Sequence, residues 1–152
     1  MSKPWDLRER TLQFAVDVIR FCRTLPKTDE AREITGQLRR SASSVGAHHS
    51  AAQRNKSDDD YINKMSGGVE EADEAMFWLD LLVRSEIAPN MAATPLRKEA
   101  DELAKILISC RSTAIERRER RRAAKRRPNP NPNPNPNANA NPNPNPNPNP
   151  RT

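Results

Sequence analysis

The chain has 152 residues, a net charge of +6 and an apolar fraction of 34%. That length implies one domain, and with no apolar run of membrane-spanning length the chain is read as a non-membrane protein. The basic excess is local: residues 117–127 hold eight arginines and lysines against one glutamate, and what precedes them is slightly acidic, so attraction to a polyanion belongs to one short segment rather than to the fold.

Met1 opens directly onto polar residues, with nothing that resembles a signal peptide. A first helix is predicted from about Asp6 to Leu25. Asp6 caps it, and Glu9 three residues on completes a capping-box-like pair. Leu7, Phe14, Ala15, Val18, Cys22 and Leu25 line one face. Pro26 closes it, because the residue before a proline is pushed out of the helical region. Thr28 caps a second helix, and Asp29, Glu30 and Glu33 suit its positive N-terminal end. This helix runs to about Arg54, with Ile34, Leu38, Ala42 and Val45 as its apolar stripe. Ser41, Ser43, Ser44, Gly46 and Ala47 make its middle thin, which lets a neighbour approach closely.

Asn55-Lys56 is a short break. Ser57 caps a third helix with Asp58, Asp59 and Asp60 in its first turn. Tyr61, Met65, Val69, Ala72, Met76, Leu79 and Val83 carry its stripe to about Ser85, widened by Ile62, Trp78 and Leu82. Residues 87–93 read as a loop around Pro89. Thr94-Pro95 reads as the start of a fourth helix, a capping residue followed by proline at the first helical position. Leu96, Ala100, Leu103, Leu107, Cys110 and Ala114 follow at helical spacing. From Pro128 to Pro150 the chain repeats Asn-Pro, with Ala138 and Ala140 replacing two prolines. That repeat removes half the backbone donors and has nothing to bury, so it is expected to be disordered.

Four amphipathic helices with short connections predict an all-α, antiparallel up-down-up-down four-helix bundle over residues 1–116. A basic C-terminal extension follows at 117–127, and the Asn-Pro tail at 128–152. Aromatic residues are only 4% of the chain, so the core is aliphatic and alanine-rich and self-association is expected to add stability. A tight turn at Asn55-Lys56 would place Ser43 and Ser44 opposite Gly68 and Gly67. The same register would place Arg40 opposite Glu71 and Arg39 opposite Ala72. The arginine pair then reads either as an interhelical ion pair or as a phosphate site. Cys22 and Cys110 both fall on apolar stripes and are expected to be reduced thiols of a cytoplasmic protein.

The chemistry points away from catalysis. His48 and His49 are adjacent, so on a helix they diverge by about 100° and do not share a metal easily. Seven residues separate Arg40 from His48, more than the four to six of a helical Arg/His ribonuclease centre. Gly67-Gly68 lacks the strand and lysine of a phosphate loop. Neither enzyme activity, cofactor nor metal is expected. The nucleic-acid candidates are Arg117, Arg118, Arg120, Arg121, Arg122, Lys125, Arg126 and Arg127, with Arg39 and Arg40 as weaker ones. If helical, the eight wrap all sides, which favours phosphate contacts over base readout. No aromatic residue interleaves with them, so stacking on bases does not come from this segment. The alternative is an adaptor bundle with a protein partner, its basic tail incidental.

The run Gln37-Leu-Arg-Arg-Ser-Ala-Ser-Ser-Val-Gly-Ala47 resembles the signature of the four-helix-bundle family of 23S ribosomal RNA intervening-sequence proteins. The accessory protein of diversity-generating retroelements is similar. Glu70-Glu-Ala-Asp-Glu-Ala-Met-Phe-Trp-Leu79, the following Leu81-Leu82 and the first helix from Phe14 to Leu25 fit as well, so the resemblance covers roughly residues 6–115. Four positions depart from the family pattern. His48 stands where Asn is usual, Ala51 where an acidic residue is common, and Gly67-Gly68 where the family has an apolar pair. The resemblance implies a bundle that assembles into a ring, typically a pentamer. It also implies a nucleic-acid-binding role without enzymatic activity. The retroelement relative adds a protein partner such as a reverse transcriptase.

Overall fold

The computed structural model describes residues 6–126, which form α1 (Leu7–Thr24), α2 (Asp29–Ala52), α3 (Asp58–Arg84) and α4 (Asn90–Arg126). The Asn-Pro repeat lies outside the described residues. Each helix packs on the next, and α4 returns to α1, so the four close into the up-down-up-down bundle. No described helix is long and apolar enough to cross a membrane.

Local chemistry sets the helix starts. Asp6 Oδ1 accepts from the N–H groups of Arg8 and Glu9 at 3.0 and 3.3 Å. Thr28 Oγ1 accepts from Ala31 N–H at 3.3 Å, and Ser57 Oγ from Asp60 N–H at 3.1 Å. These contacts satisfy donors that a helix start otherwise leaves open. Phe14, Leu38, Met65, Leu79, Leu82, Leu103 and Leu107 are fully buried, with Ala42, Ala72, Ala75 and Ala100 between them. On α1 the buried face is Thr11, Phe14, Val18, Phe21 and Cys22, while Ala15 is half-buried. Thr11 is tolerated there because its hydroxyl donates to Arg8 O at 3.0 Å. Arg10 ties α1 to α4. Its Nε and Nη2 meet the Glu99 carboxylate at 2.6 and 2.9 Å, and Nη2 also reaches Glu102 at 2.6 Å.

Two expectations need correction. The fourth helix begins at Asn90, not at Thr94-Pro95. Pro89 O accepts from the N–H groups of Ala92 and Ala93, which makes Pro89 the effective cap. Pro95 then sits one turn inside and leaves the Met91 carbonyl without its helical donor. Met91 is 87% exposed, so water reaches that end of the helix. Just before this, Glu86 adopts a left-handed conformation, φ 59°, and Ile87 N–H closes back on Leu82 O at 3.0 Å. That Schellman-type cap ends α3 without glycine.

The second correction is register. Gly67 faces His48, not Ser44, and Gly68 meets Leu107, His48 and Val45 rather than Ser43. Arg40 pairs with Glu74 at 3.5 Å, not with Glu71. The pairing is displaced by about one helical turn. Residues 53–57 separate the two helices, a longer connection than the two-residue break the sequence suggested. The first turn of α3 therefore overhangs the end of α2. A Cβ built on Gly67 would lie 2.5 Å from His48 Cε1. The His48 ring thus takes up the space that the missing side chain at Gly67 leaves.

Candidate nucleic-acid interface

At ~1.5 Å per residue the 37 residues of α4 span about 55 Å, against about 36 Å for the 24 of α2. The excess lies at the C-terminal end, where α4 leaves α1 and α2 behind and keeps only the overhanging first turn of α3 beside it. Each of two carboxylates there bridges two arginines one turn apart. Asp58 receives Arg117 and Arg121, both at 3.1 Å. Asp59 receives Arg118 at 2.5 Å and Arg122 at 3.2 Å. The hydrogen bond from Arg118 holds the Asp59 carboxyl below its ordinary value. Arg118 is the inner member, its side chain 25% exposed, whereas Arg117, Arg121 and Arg122 remain 52–66% exposed.

The other cations of the segment are freer. Arg120 is 83% exposed and 3.8 Å from Glu116. Lys125 and Arg126 make no ion pair among the described residues, and Arg127 lies outside them. The eight cations are thus not equivalent: four are oriented by α3 and at least three project into solvent. Sequence reasoning assigned Asp58 and Asp59 only to the N-terminal end of α3, a role they also fill, and so missed them as partners of α4.

Beneath the ladder, where α2 stops, opens a cavity of about 410 Å³. Tyr61, Gln53, Asn55, Thr113 and Arg117 line it together with Cys110. Burial pushes the Tyr61 hydroxyl pKa up, so it stays a neutral donor. The aromatic ring absent from the basic segment itself is supplied here by α3.

Arg39 and Arg40 do not join this surface or each other. Arg40 turns to α3, where Glu74 also accepts from Trp78 Nε1 at 2.9 Å. Arg39 turns towards α1, its Nε donating to Thr35 O at 3.2 Å. The histidines part as well. His48 lies against Gly67, while His49 is buried with Nε2 3.2 Å from the Gln53 amide nitrogen and Nδ1 without a partner among the described residues. Burial holds the His49 pKa below its ordinary value. Both cysteines are free thiols.

The model of the 23S rRNA-intervening sequence protein family matches residues 4–109. The chain belongs to that family. A crystal structure of a protein of unknown function from the S23 ribosomal protein family of Bacteroides thetaiotaomicron superimposes on this member with a TM-score of 0.64 at 30% identity. The match covers 68% of this chain and 96% of that one. No curated protein matches. The matched segment ends at residue 109, before the first arginine of the ladder at 117.

Proposed function

We propose that this family member is a non-enzymatic, ring-forming bundle that binds RNA or DNA electrostatically through the arm at residues 117–127. The observation that carries the reading is the ladder on Asp58 and Asp59. It fixes four arginines on a rigid helix while leaving three of their side chains more than half exposed. Arginines held this way meet phosphate oxygens with little further ordering, and Arg120, Lys125 and Arg126 add charge without a strong internal partner.

Self-association has its own support. Between α1 and α2 runs a groove of about 370 Å³ lined by Leu12, Val16, Ile19 and Ala47 around Gly46. Leu12 is 57% exposed there, and Phe77 on α3 is 58% exposed. We read these as the faces that meet between copies, five in number as the family resemblance implies. Cyclic symmetry would then put every arm on the same side of the ring, where weak phosphate contacts act with avidity. The free thiols fit a reducing compartment such as the cytoplasm. The same apolar groove favours the second reading, an adaptor with a protein partner such as a reverse transcriptase.

Fluorescence anisotropy of a labelled RNA tests the arm. The Lys125→Gln/Arg126→Gln variant is expected to bind more weakly across all sequences, with the log K against log salt slope reduced by about one per cation removed. An unchanged slope would move the contacts off the arm.

A further inference from the structure

A second cationic site lies at the other end of the bundle, where residues 25–28 join α1 to α2. A cavity of about 200 Å³ opens at that corner. Arg23 from the last turn of α1, Lys27 from the connection, and Arg32 and Arg39 from α2 all line it. No carboxylate does. The acids nearest in sequence look outward: Glu30 and Glu33 are exposed, and Asp29, 97% exposed, holds Arg32 at 3.2 Å. Arg23, Lys27 and Arg39 have no carboxylate partner among the described residues. Arg39 commits only its Nε to the protein, at Thr35 O, which orients the guanidinium and leaves its terminal nitrogens available. Three cations without a carboxylate partner, and Arg32 shared with Asp29, thus surround one cavity, and an anion placed between them is attracted by all four.

The floor of the cavity bears on the kind of anion. Cys22 is buried there, and burial pushes its thiol pKa up to about 11 against the opposing pull of Arg39 and Lys27. The thiol therefore stays neutral and does not itself neutralise the cations. At about 200 Å³ the cavity is of small-molecule size. That is room for a diphosphate group and far too little for a duplex.

We propose that this corner binds a small phosphate-bearing anion of diphosphate size, with Arg39 and Lys27 as the principal grips and Arg23 and Arg32 closing the ring of charge. The site is independent of the nucleic-acid arm, and one experiment separates the two. Full-length protein is titrated with inorganic pyrophosphate by calorimetry, and its melting temperature is followed against sodium chloride at matched ionic strength. One site per chain and a rise in melting temperature beyond the chloride control are expected, with affinity falling by about tenfold or more in Lys27→Gln/Arg39→Gln. Both positions are exposed, so the variant should fold; circular dichroism checks this. Arg40→Gln, on the other side of α2, should bind as the wild type does. The arm variant Arg120→Gln/Lys125→Gln/Arg126→Gln should also keep pyrophosphate binding. Equal effects of pyrophosphate and chloride would overturn the proposal. So would unchanged affinity in Lys27→Gln/Arg39→Gln, or loss of affinity in the arm variant.

Discussion

The bundle and the arm of this chain are both helical, but for different reasons. In the bundle, Leu38, Leu79, Leu103 and Leu107 are sealed from water, and helices form because their apolar faces have somewhere to go. Beyond Ala114, the last buried residue of α4, no side chain of the helix is buried. The arm stays helical on Ala123 and Ala124, arginines of good helix propensity, and two aspartates of α3 that bridge its turns. One region is governed by volume and the other by charge. They should therefore answer to different perturbations even though a single helix runs through both.

The largest expected effect is on volume. Leu38→Ala should cost about 2–5 kcal/mol of bundle stability, because a fully buried side chain leaves a cavity that its neighbours fill only in part. Chemical denaturation measures it. The ion pairs of Asp58 and Asp59 should persist in that variant as long as the bundle is folded. A loss of only a few tenths would mean that the core is looser than the packing indicates.

A smaller effect tests the α2–α3 crossing. Gly67→Ala improves helix propensity by roughly 1 kcal/mol but drives a methyl into the His48 ring. In a His48→Ala background the obstruction is gone. The double-mutant cycle should thus show a coupling of about 1 kcal/mol, with Gly67→Ala more favourable when His48 is absent. Additive effects would mean that the ring swings aside without cost.

Acid separates the regions most cleanly. His49 is buried with a lowered pKa, so its contribution to stability is present above the unfolded value of 6.5 and declines as pH falls below it. His49→Gln should flatten the melting temperature between pH 7 and pH 5. The Asp59 carboxyl is also lowered, so its pairs with Arg118 and Arg122 are intact above 3.8 and fail only as pH drops below that value. Hydrogen-exchange protection of the amides at 117–126, taken relative to the intrinsic rate at each pH, should fall in that lower window and stay unchanged in the upper one. Arm exchange that followed His49 instead would show that the two regions unfold together.

Much of the bundle was legible because its signals are local. Asp6, Thr28 and Ser57 cap their helices through donors two or three residues away, and the apolar stripes repeat at the helical period. What was hidden depends on distance or on exceptions. Asp58 lies 59 residues from Arg117, and its place in a first turn already explained an acidic residue there. The register of α2 on α3 depends on the path of residues 53–57, which composition does not encode. Glu86 holds a left-handed cap that sequence rules reserve for glycine or asparagine. Thr94-Pro95 carried a stronger start signal than Asn90, yet the proline could move inward because the carbonyl it orphans faces water. Arg39 and Arg40 are neighbours in sequence that the helix sends to opposite sides.

On the proposed reading the arm binds nucleic acid and the bundle assembles without it. Sedimentation of the full chain and of a chain ending at Ile115, each with and without a labelled RNA across a salt series, tests it most directly. The same oligomer is expected for both, with RNA co-sedimenting with the full chain alone and log K falling linearly with log salt. RNA held equally by the shortened ring would contradict it.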